Sequence, residues 1–501
     1  MTTAANAWQA LADWQPQTLT DLVAADPEIR LQALVRNVAD IRFDFAKTHL
    51  DEAAIAILSD LAQAQDFAGR RKTLFSGGIA NPTEDRAAEH SAERGEGAPD
   101  PVHRAQMLHQ RMRMLVDAIE AGAFGEIRHL LHIGIGGSAL GPDLLVDALG
   151  RHGSRYDVAV VSNVDGAALS EAFARFSPEH TLVAVASKTF TTTETLLNAA
   201  SALQWLEEGG VEDALGRFIA LTAMPERAIE WGIDETRILP FSETVGGRYS
   251  LWSSIGFPAA LALGWDAFAD LLEGAAEMDR HFRLAEGADN IGLLAAFVDQ
   301  LYANRLDCQT RAVFAYDERL RLLPDYLQQL EMESNGKSVT LDGAPLGRES
   351  APITWGGVGT DAQHAVFQLL HQGTHLTPVE FVVAREPDHL LDDAHHETLV
   401  ANCIAQGAAL MAGRASEDGA RHYPGNRPST TILLDQVNPR SLGALIAFYE
   451  HRVFANAVLL GINPFDQFGV ELGKEMAKGL AEGTVEFDAA TQALMAAALG
   501  D

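Results

Sequence analysis

From His129 onward the chain alternates short apolar runs with stretches whose apolar residues recur at helical spacing. The first series of runs is HLLHIG (129–134), DVAVVS (157–162), TLVAVA (181–186) and RFIALT (217–222). Each is followed by a turn rich in Gly, Ser or Thr and then by helix-like sequence. Runs apolar on both faces, separated by helices, predict βαβ units and a parallel sheet. A helical stretch at 260–305 intervenes, and the pattern then recurs in TRAVFAY (310–316), PITW (352–355), VEFVVA (379–384) and TILLDQ (431–436). Two successive α/β layers, at 125–260 and 305–440, are therefore expected, closed by a helical arm at 439–499. Residues 1–125 read mostly as helix with loops. Apolar residues fall at helical spacing in Thr18–Asn37 and Ala53–Leu61, while Ser76–Pro101 is loop or broken helix.

Composition adds limits to this picture. A chain of 501 residues exceeds one core, so two domains are expected. Glu450, His451 and Arg452 interrupt the apolar run Leu442–Ile462, which predicts a buried core helix rather than a membrane span. The first fifteen residues lack the basic and apolar regions of a secretory leader. Cys308 and Cys403 stand far apart and outside any CxxC pattern, so neither a disulfide framework nor a zinc site is expected and a reducing cytoplasm is. A net charge of −32 disfavours nucleic acid and anionic membranes as partners.

That charge also disfavours a phosphorylated ligand, unless cations and amides gather locally, because screening confines charges to roughly 8–10 Å. Two turns have this character. His132–Leu145 (HIGIGGSALGPDLL) is a strand, a glycine turn with Ser138, then a helix, whose first N–H groups suit an anion. A ligand-free βα turn and a dinucleotide turn are the alternatives; the spacing departs from GxGxxG, although Asp165 lies at a plausible distance for a ribose contact. In Ser187–Thr195 (SKTFTTTET), Thr191 and Glu194 fit a capping box. The box leaves Ser187, Lys188, Thr189 and Thr192 as a concentrated set of phosphate donors.

Four further blocks carry candidate chemistry. In VGGRYSLWSSIGFP (245–258), Arg248 is either a surface ion-pair partner or a fixed charge for a developing enediolate. In QQLEMESNGKS (328–338), Glu333 ends an apolar segment before the Asn335–Gly336 turn, compatible with a base, a salt bridge or a metal ligand. GGVGTDAQHAVFQLLHQG (356–373) predicts a helix capped by Asp361 and stopped by Gly373. Its expected core stripe is Ala362, Ala365, Val366, Leu369 and Leu370, with His364 and His371 on another face. PFDQFGVELGKEMAK (464–478) reads as a helix presenting Glu471, Lys474 and Lys478 at ion-pairing distances.

Together the segments GIGGSALGP, SKTFTTTET, VGGRYSLWSSIG, MESNGK, DAQHAVFQLLHQGT and FDQFGVELGK resemble the glucose-6-phosphate isomerase family, in family order from about residue 75 to 480. The resemblance implies two sugar-isomerase-type, flavodoxin-like α/β/α sandwich domains with helical N- and C-terminal arms. A small domain at 105–265 would hold the phosphate loops, and residues 1–104 would join 266–501 in the large one. It further implies a cytoplasmic homodimer of glycolysis and gluconeogenesis acting on a sugar phosphate, without cofactor or metal. Glu333 would be the base, Arg248 would stabilise the cis-enediol(ate), and His364, from the neighbouring subunit, would open the ring with Lys474. Ser138, Ser187, Lys188, Thr189 and Thr192 would hold the phosphate, and Gly136, Gly137, Gln329 and Gln467 the sugar. It is this resemblance that selects Glu333 over Glu331. Departures are modest: Asn81–Glu93 is more polar than usual, Phe468 stands for a common tryptophan and His375 for a common lysine. The alternatives are a relaxed isomerase that also takes mannose 6-phosphate and a non-catalytic sugar-phosphate-binding regulator, for which Glu333, His364 and Lys474 would be dispensable.

Overall fold

Eleven strands among the described residues form two separate sheets in the computed structural model, which describes residues 3–151 and 153–499. The strands are β1 (Val35–Val38), β2 (Ile41–Lys47), β3 (His129–Gly134), β4 (Asp157–Val161), β5 (Thr181–Ala186), β6 (Phe218–Thr222), β7 (Ile238–Pro240), β8 (Thr310–Tyr316), β9 (Ile353–Val358), β10 (Val379–Ala384) and β11 (Ser429–Leu434). All eight expected runs are strands, and their side chains are largely buried because helices cover both faces. The chain divides after Pro464 into two compact units, and the sheets lie in the first.

The five-stranded sheet has the order β4-β3-β5-β6-β7 and is parallel throughout. The six-stranded sheet has the order β1-β2-β11-β10-β8-β9. Its parallel part, β9-β8-β10-β11, repeats the path of β4-β3-β5-β6, in which the chain steps to one side of its first strand and then crosses to the other. This is the flavodoxin-like doubly wound path, and it opens a crevice where the direction reverses. Chain order thus places the turns after β3 and β5 side by side, with Gly134 opposite Ala186.

The N-terminal part departs from the expected reading of mostly helix with loops. The stretch 18–37 breaks at Asp26–Pro27 into two short helices, and an antiparallel hairpin, β1–β2, follows. β2 pairs antiparallel with β11, so the N-terminus completes the second sheet. Ile41, Phe43 and Phe45 point into the core while Arg42 and Asp44 face outward, a period of two rather than 3.6.

The helix Pro439–Leu460 is buried along nearly its whole length, and its three consecutive charges are paired inside the protein. Glu450 accepts from Trp252 Nε1 at 2.8 Å and from Arg94, and Arg94 also makes a bidentate pair with Asp279 at 2.7 and 2.8 Å. His451 Nε2 lies 2.6 Å from Asp279. Arg452 spans Asp299 and Glu380 at 2.7 and 2.6 Å. The helix Trp265–Leu284 approaches so closely that a Cβ on Gly274 would lie 1.9 Å from Arg440 O, and one on Gly443 2.0 Å from Leu271 O. Glycine at these two crossings is a steric requirement. Among the described residues, no helix is long and apolar enough to cross a membrane. The second unit contains the helices Glu471–Glu482 and Ala489–Leu499.

Candidate active site

The glycine turn after β3 runs from Ile135 to Ser138 and is fixed from below by His132, a fully buried histidine in an otherwise apolar strand. Its Nε2–H donates to Ser138 O at 2.7 Å, and burial pushes the imidazole down to about 4, so it serves as a neutral donor. A polar residue inside a doubly buried strand was a visible signal in the sequence, and no role was read from it. Gly136 sits in the left-handed region (φ 57°), where a Cβ would stand 2.9 Å from Gln329 Nε2. At Gly137 a Cβ would lie 2.2 Å from Gly247 O and 2.6 Å from Arg248 N. The turn is therefore wedged between Gln329 and the backbone that carries Arg248, a closeness only glycine permits.

The turn after β5 gathers the hydroxyls. Ser187 Oγ accepts from Phe190 N and lies 3.1 Å from Thr192 Oγ1. Thr189 and Thr191 pair at 2.8 Å. The expected Thr191–Glu194 capping box is not formed: the helix Thr193–Glu208 starts two residues later, and Thr191 is spent on Thr189. Asp165, the candidate ribose ligand, caps the helix Gly166–Arg175 through Ala167 N at 3.0 Å.

Lys188 belongs to this turn, and its ammonium donates to the carbonyls of Glu243 and Val245 at 2.7 and 2.9 Å. Burial pushes it down to about 8, with Arg86 adding to the shift. Its side chain thus ties the β5 turn to the segment leading into Gly247–Trp252.

Arg248 is buried at the start of the 3-10 helix Gly247–Trp252. Its Nε–H donates to Ser334 Oγ at 2.6 Å, Nη2 donates to Pro464 O, and Nη1 stands 3.6 Å from Glu333 Oε2. Glu333 ends a π-helical turn, Gln329–Glu333, that extends the short helix Leu323–Gln328. Such widened turns often occur at functional sites. Gln329 Nε2 donates to Glu333 Oε2 at 2.9 Å, and Lys337 Nζ to Glu333 O at 3.1 Å. Glu333 is half-buried, its side chain 22% exposed. Glu331, two residues away, is buried and held by Arg311 and Thr354. One carboxylate is locked in an ionic core, and the other faces an arginine with solvent access.

His364 lies elsewhere. The helix expected from Asp361 to Gly373 breaks at Val366 into Asp361–Ala365 and Phe367–Gln372, which shifts the phase of the apolar stripe. Ala362, Phe367 and Leu370 are buried, whereas Ala365 and Leu369 are exposed. His364 is exposed beside a groove of about 550 Å³ that also includes Phe367, His371, Gln406 and Tyr423, and no residue of the Glu333 cluster lines it. His371 Nε2–H donates to Gln406 Oε1 at 2.8 Å. Gln467 and Lys474 belong to the second unit, where Lys474 is exposed on the helix Glu471–Glu482.

A doubly wound parallel sandwich with a hydroxyl-rich turn at its switch point, beside a carboxylate backed by a guanidinium, defines a sugar-isomerase-type α/β protein. Comparison with known proteins narrows the class. The family model described as phosphoglucose isomerase matches residues 44–495. The glucose-6-phosphate isomerase of Sphingopyxis alaskensis is 89% identical over 501 residues, covering 100% of both chains, and that of Rhizorhabdus wittichii is 70% identical over the same span. A crystal structure of a glucose-6-phosphate isomerase from Chlamydia trachomatis matches with a TM-score of 0.89 at 31% identity, covering 98% of each chain. The chain belongs to the phosphoglucose isomerase family.

Proposed function

We propose that the chain interconverts D-glucose 6-phosphate and D-fructose 6-phosphate through ring opening and a cis-enediol(ate), in glycolysis and gluconeogenesis. The observation that carries this reading is the Glu333–Arg248 pair, 3.6 Å apart, with the glycine turn and Gln329 packed around it. In the aldose-to-ketose direction Glu333 removes the proton from C2. The C–H electrons form the C1=C2 bond, and O1 gains the charge that Arg248 stabilises. The protonated carboxyl then returns the proton to C1, the C1=C2 electrons forming the new C–H bond, while the C2 hydroxyl passes its proton to O1 and becomes the carbonyl. A positioned base contributes roughly 10²–10⁴-fold, and a fixed charge aimed at the oxyanion roughly 10²–10³-fold.

Ser138, Ser187, Thr189 and Thr192 hold the phosphate through hydroxyls, and Lys188 contributes through its backbone N–H. Gly136, Gly137, Gln329 and Gln467 line the sugar. His364 and Lys474 open the ring, His364 coming from a second copy of the chain in a homodimer. The exposure of His364 in a groove apart from Glu333 supports that donation. We read 105–265 as the small domain and 1–104 with 266–501 as the large one, a division supported by the pairing of β2 with β11. Two buried free thiols, Cys308 and Cys403, support a reducing, cytoplasmic setting.

The test is turnover of fructose 6-phosphate by Glu333→Gln, with mannose 6-phosphate assayed in parallel. The variant should lose at least about a hundredfold in kcat while inorganic phosphate still competes for the phosphate site. Activity within about tenfold of the wild type would reject Glu333 as the base.

A further inference from the structure

We propose that His132 is a positioning residue for phosphate binding, supplying Ser138 O with the donor that Pro142 lacks; this rests on the reading of Ser138 as a phosphate ligand. His132 is 0% exposed within β3, where Leu131 and Ile133 beside it turn to the apolar core on the other face of the sheet. A carbonyl can only accept, so Nε2 carries the proton in the 2.7 Å bond to Ser138 O. Nδ1 meets no partner among the described residues, so this bond is the ring's polar contact among them. The acceptor has a reason to need it. The helix Leu140–Gly150 begins after Ala139, whose carbonyl receives Asp143 N–H at 2.9 Å. For Ser138 O the residue four places on is Pro142, which has no N–H to give.

The other bonds of the turn do not replace it. Ser138 N donates to Ile135 O at 3.2 Å and Ala139 N to Gly136 O at 2.9 Å, so both close the turn on itself. Ser250 Oγ reaches Gly137 O at 3.5 Å, from the side that carries Arg248. The His132 bond ties Ser138 itself to the body of β3, where the turn folds back over the strand end. A Cβ on Gly134 would lie 2.7 Å from Ser138 O and 3.0 Å from Ser138 Cβ. Without the donor, Ser138 O is an unpaired acceptor facing a closed interior, a state that buried carbonyls avoid. The peptide between Ser138 and Ala139 then turns towards another donor, and the Ser138 hydroxyl moves with it. Gly136 and Gly137 keep their own packing against Gln329 and Gly247, so Arg248 and Glu333 keep their places. The loss therefore falls on phosphate affinity rather than on the chemical step.

The experiment compares His132→Gln with His132→Met in the full chain, reading Ki for inorganic phosphate against fructose 6-phosphate, together with KM and kcat. The two side chains match in length, and glutamine alone can present an N–H where Nε2 stands. His132→Gln should keep Ki within about threefold of the wild type. His132→Met should raise Ki and KM together, roughly 5- to 20-fold, with kcat within about threefold. A purely structural role would lower Tm and the active fraction, hence apparent kcat, and leave Ki of the folded molecules unchanged. Equal Ki values for the two variants would overturn the proposal, as would a loss in His132→Met that appears in kcat alone. Should His132→Met not fold, His132→Leu takes its place with the same expectation, and an unchanged Ki overturns the proposal. Ser138→Ala separates the two levels. If it leaves Ki unchanged, the reading of Ser138 as a phosphate ligand fails; if it raises Ki while His132→Met matches His132→Gln, this inference alone fails.

Discussion

Glu331 and Glu333 invite the same substitution with opposite expected results. Glu331→Gln removes a charge from a buried cluster in which Arg311 and Arg452 face Glu331, Asp299 and Glu380. Breaking a buried pair ordinarily costs about 3–5 kcal/mol because it strands a charge. Here the three carboxylates outnumber the two guanidiniums, and Arg311 keeps Asp299 at 2.9 Å, so no cation is stranded. What is lost is one charged hydrogen bond, about 2 kcal/mol. Spread over the 464 residues of the first unit, an unfolding entropy of about 2.1 cal/mol/K per residue totals about 1 kcal/mol/K, and the midpoint falls by about 2 °C. Differential scanning calorimetry at one scan rate, with fructose 6-phosphate turnover on the same samples, reads both effects. Glu331→Gln should lower Tm and keep kcat within about threefold, whereas Glu333→Gln should leave Tm within about 1 °C and abolish turnover. If Glu331→Gln loses turnover as severely as Glu333→Gln with no change in Tm, the assignment of roles from burial is wrong.

Gly137→Ala should cost at least about a hundredfold in kcat with the fold retained, since its Cβ would meet Gly247 O at 2.2 Å and push the turn off Arg248; near-normal kinetics would show that the wedge is not needed. Co-expressed Glu333→Gln and His364→Ala chains should regain about a quarter of wild-type activity, because half of randomly paired dimers have one intact site; no gain over the single variants would refute donation across subunits. Burial holds His132 and His281 down to about 4, and His49, His90 and His451 are also lowered. Unfolded, all five bind protons near 6.5, so their contribution is intact above that pH and is lost as the pH falls towards 4. Asp143, raised to about 6, and Glu450, raised to about 7, both chiefly by burial, act oppositely and favour the fold as pH drops below those values. Five imidazoles outweigh two carboxyls, so Tm should fall between pH 6.5 and pH 4.5; a Tm that rises over that window would contradict the pairing described.

The parallel strands β3, β5, β6, β8 and β10 were legible because each is buried on both faces and writes a largely apolar run. β1 and β2 were not, because Arg42 and Asp44 alternate with Ile41, Phe43 and Phe45 in a stretch whose neighbours have helical spacing. β7, three residues long, is too short to write a pattern. At the site, the turns around Ser138 and Ser187 were readable as hydroxyl-rich loops after strands. The direction of the Lys188 ammonium was not, since it depends on carbonyls of Glu243 and Val245 more than fifty residues away. The break at Val366 escaped because Ala365 and Leu369 fit a continuous helix as well as an interrupted one.

The buried helix Pro439–Leu460 also sets a timetable for synthesis. Arg94 and Trp252 leave the ribosome long before Glu450, the carboxylate that both require. Their separation is 198 residues from Trp252 to Glu450, which at about 5–20 residues per second is a delay of roughly 10–40 s. The hairpin β1–β2 waits longer still, for β11. During that interval the nascent chain carries an unpaired indole and an open sheet edge, a combination that calls for shielding by a holdase until the last strand and the last long buried helix arrive together.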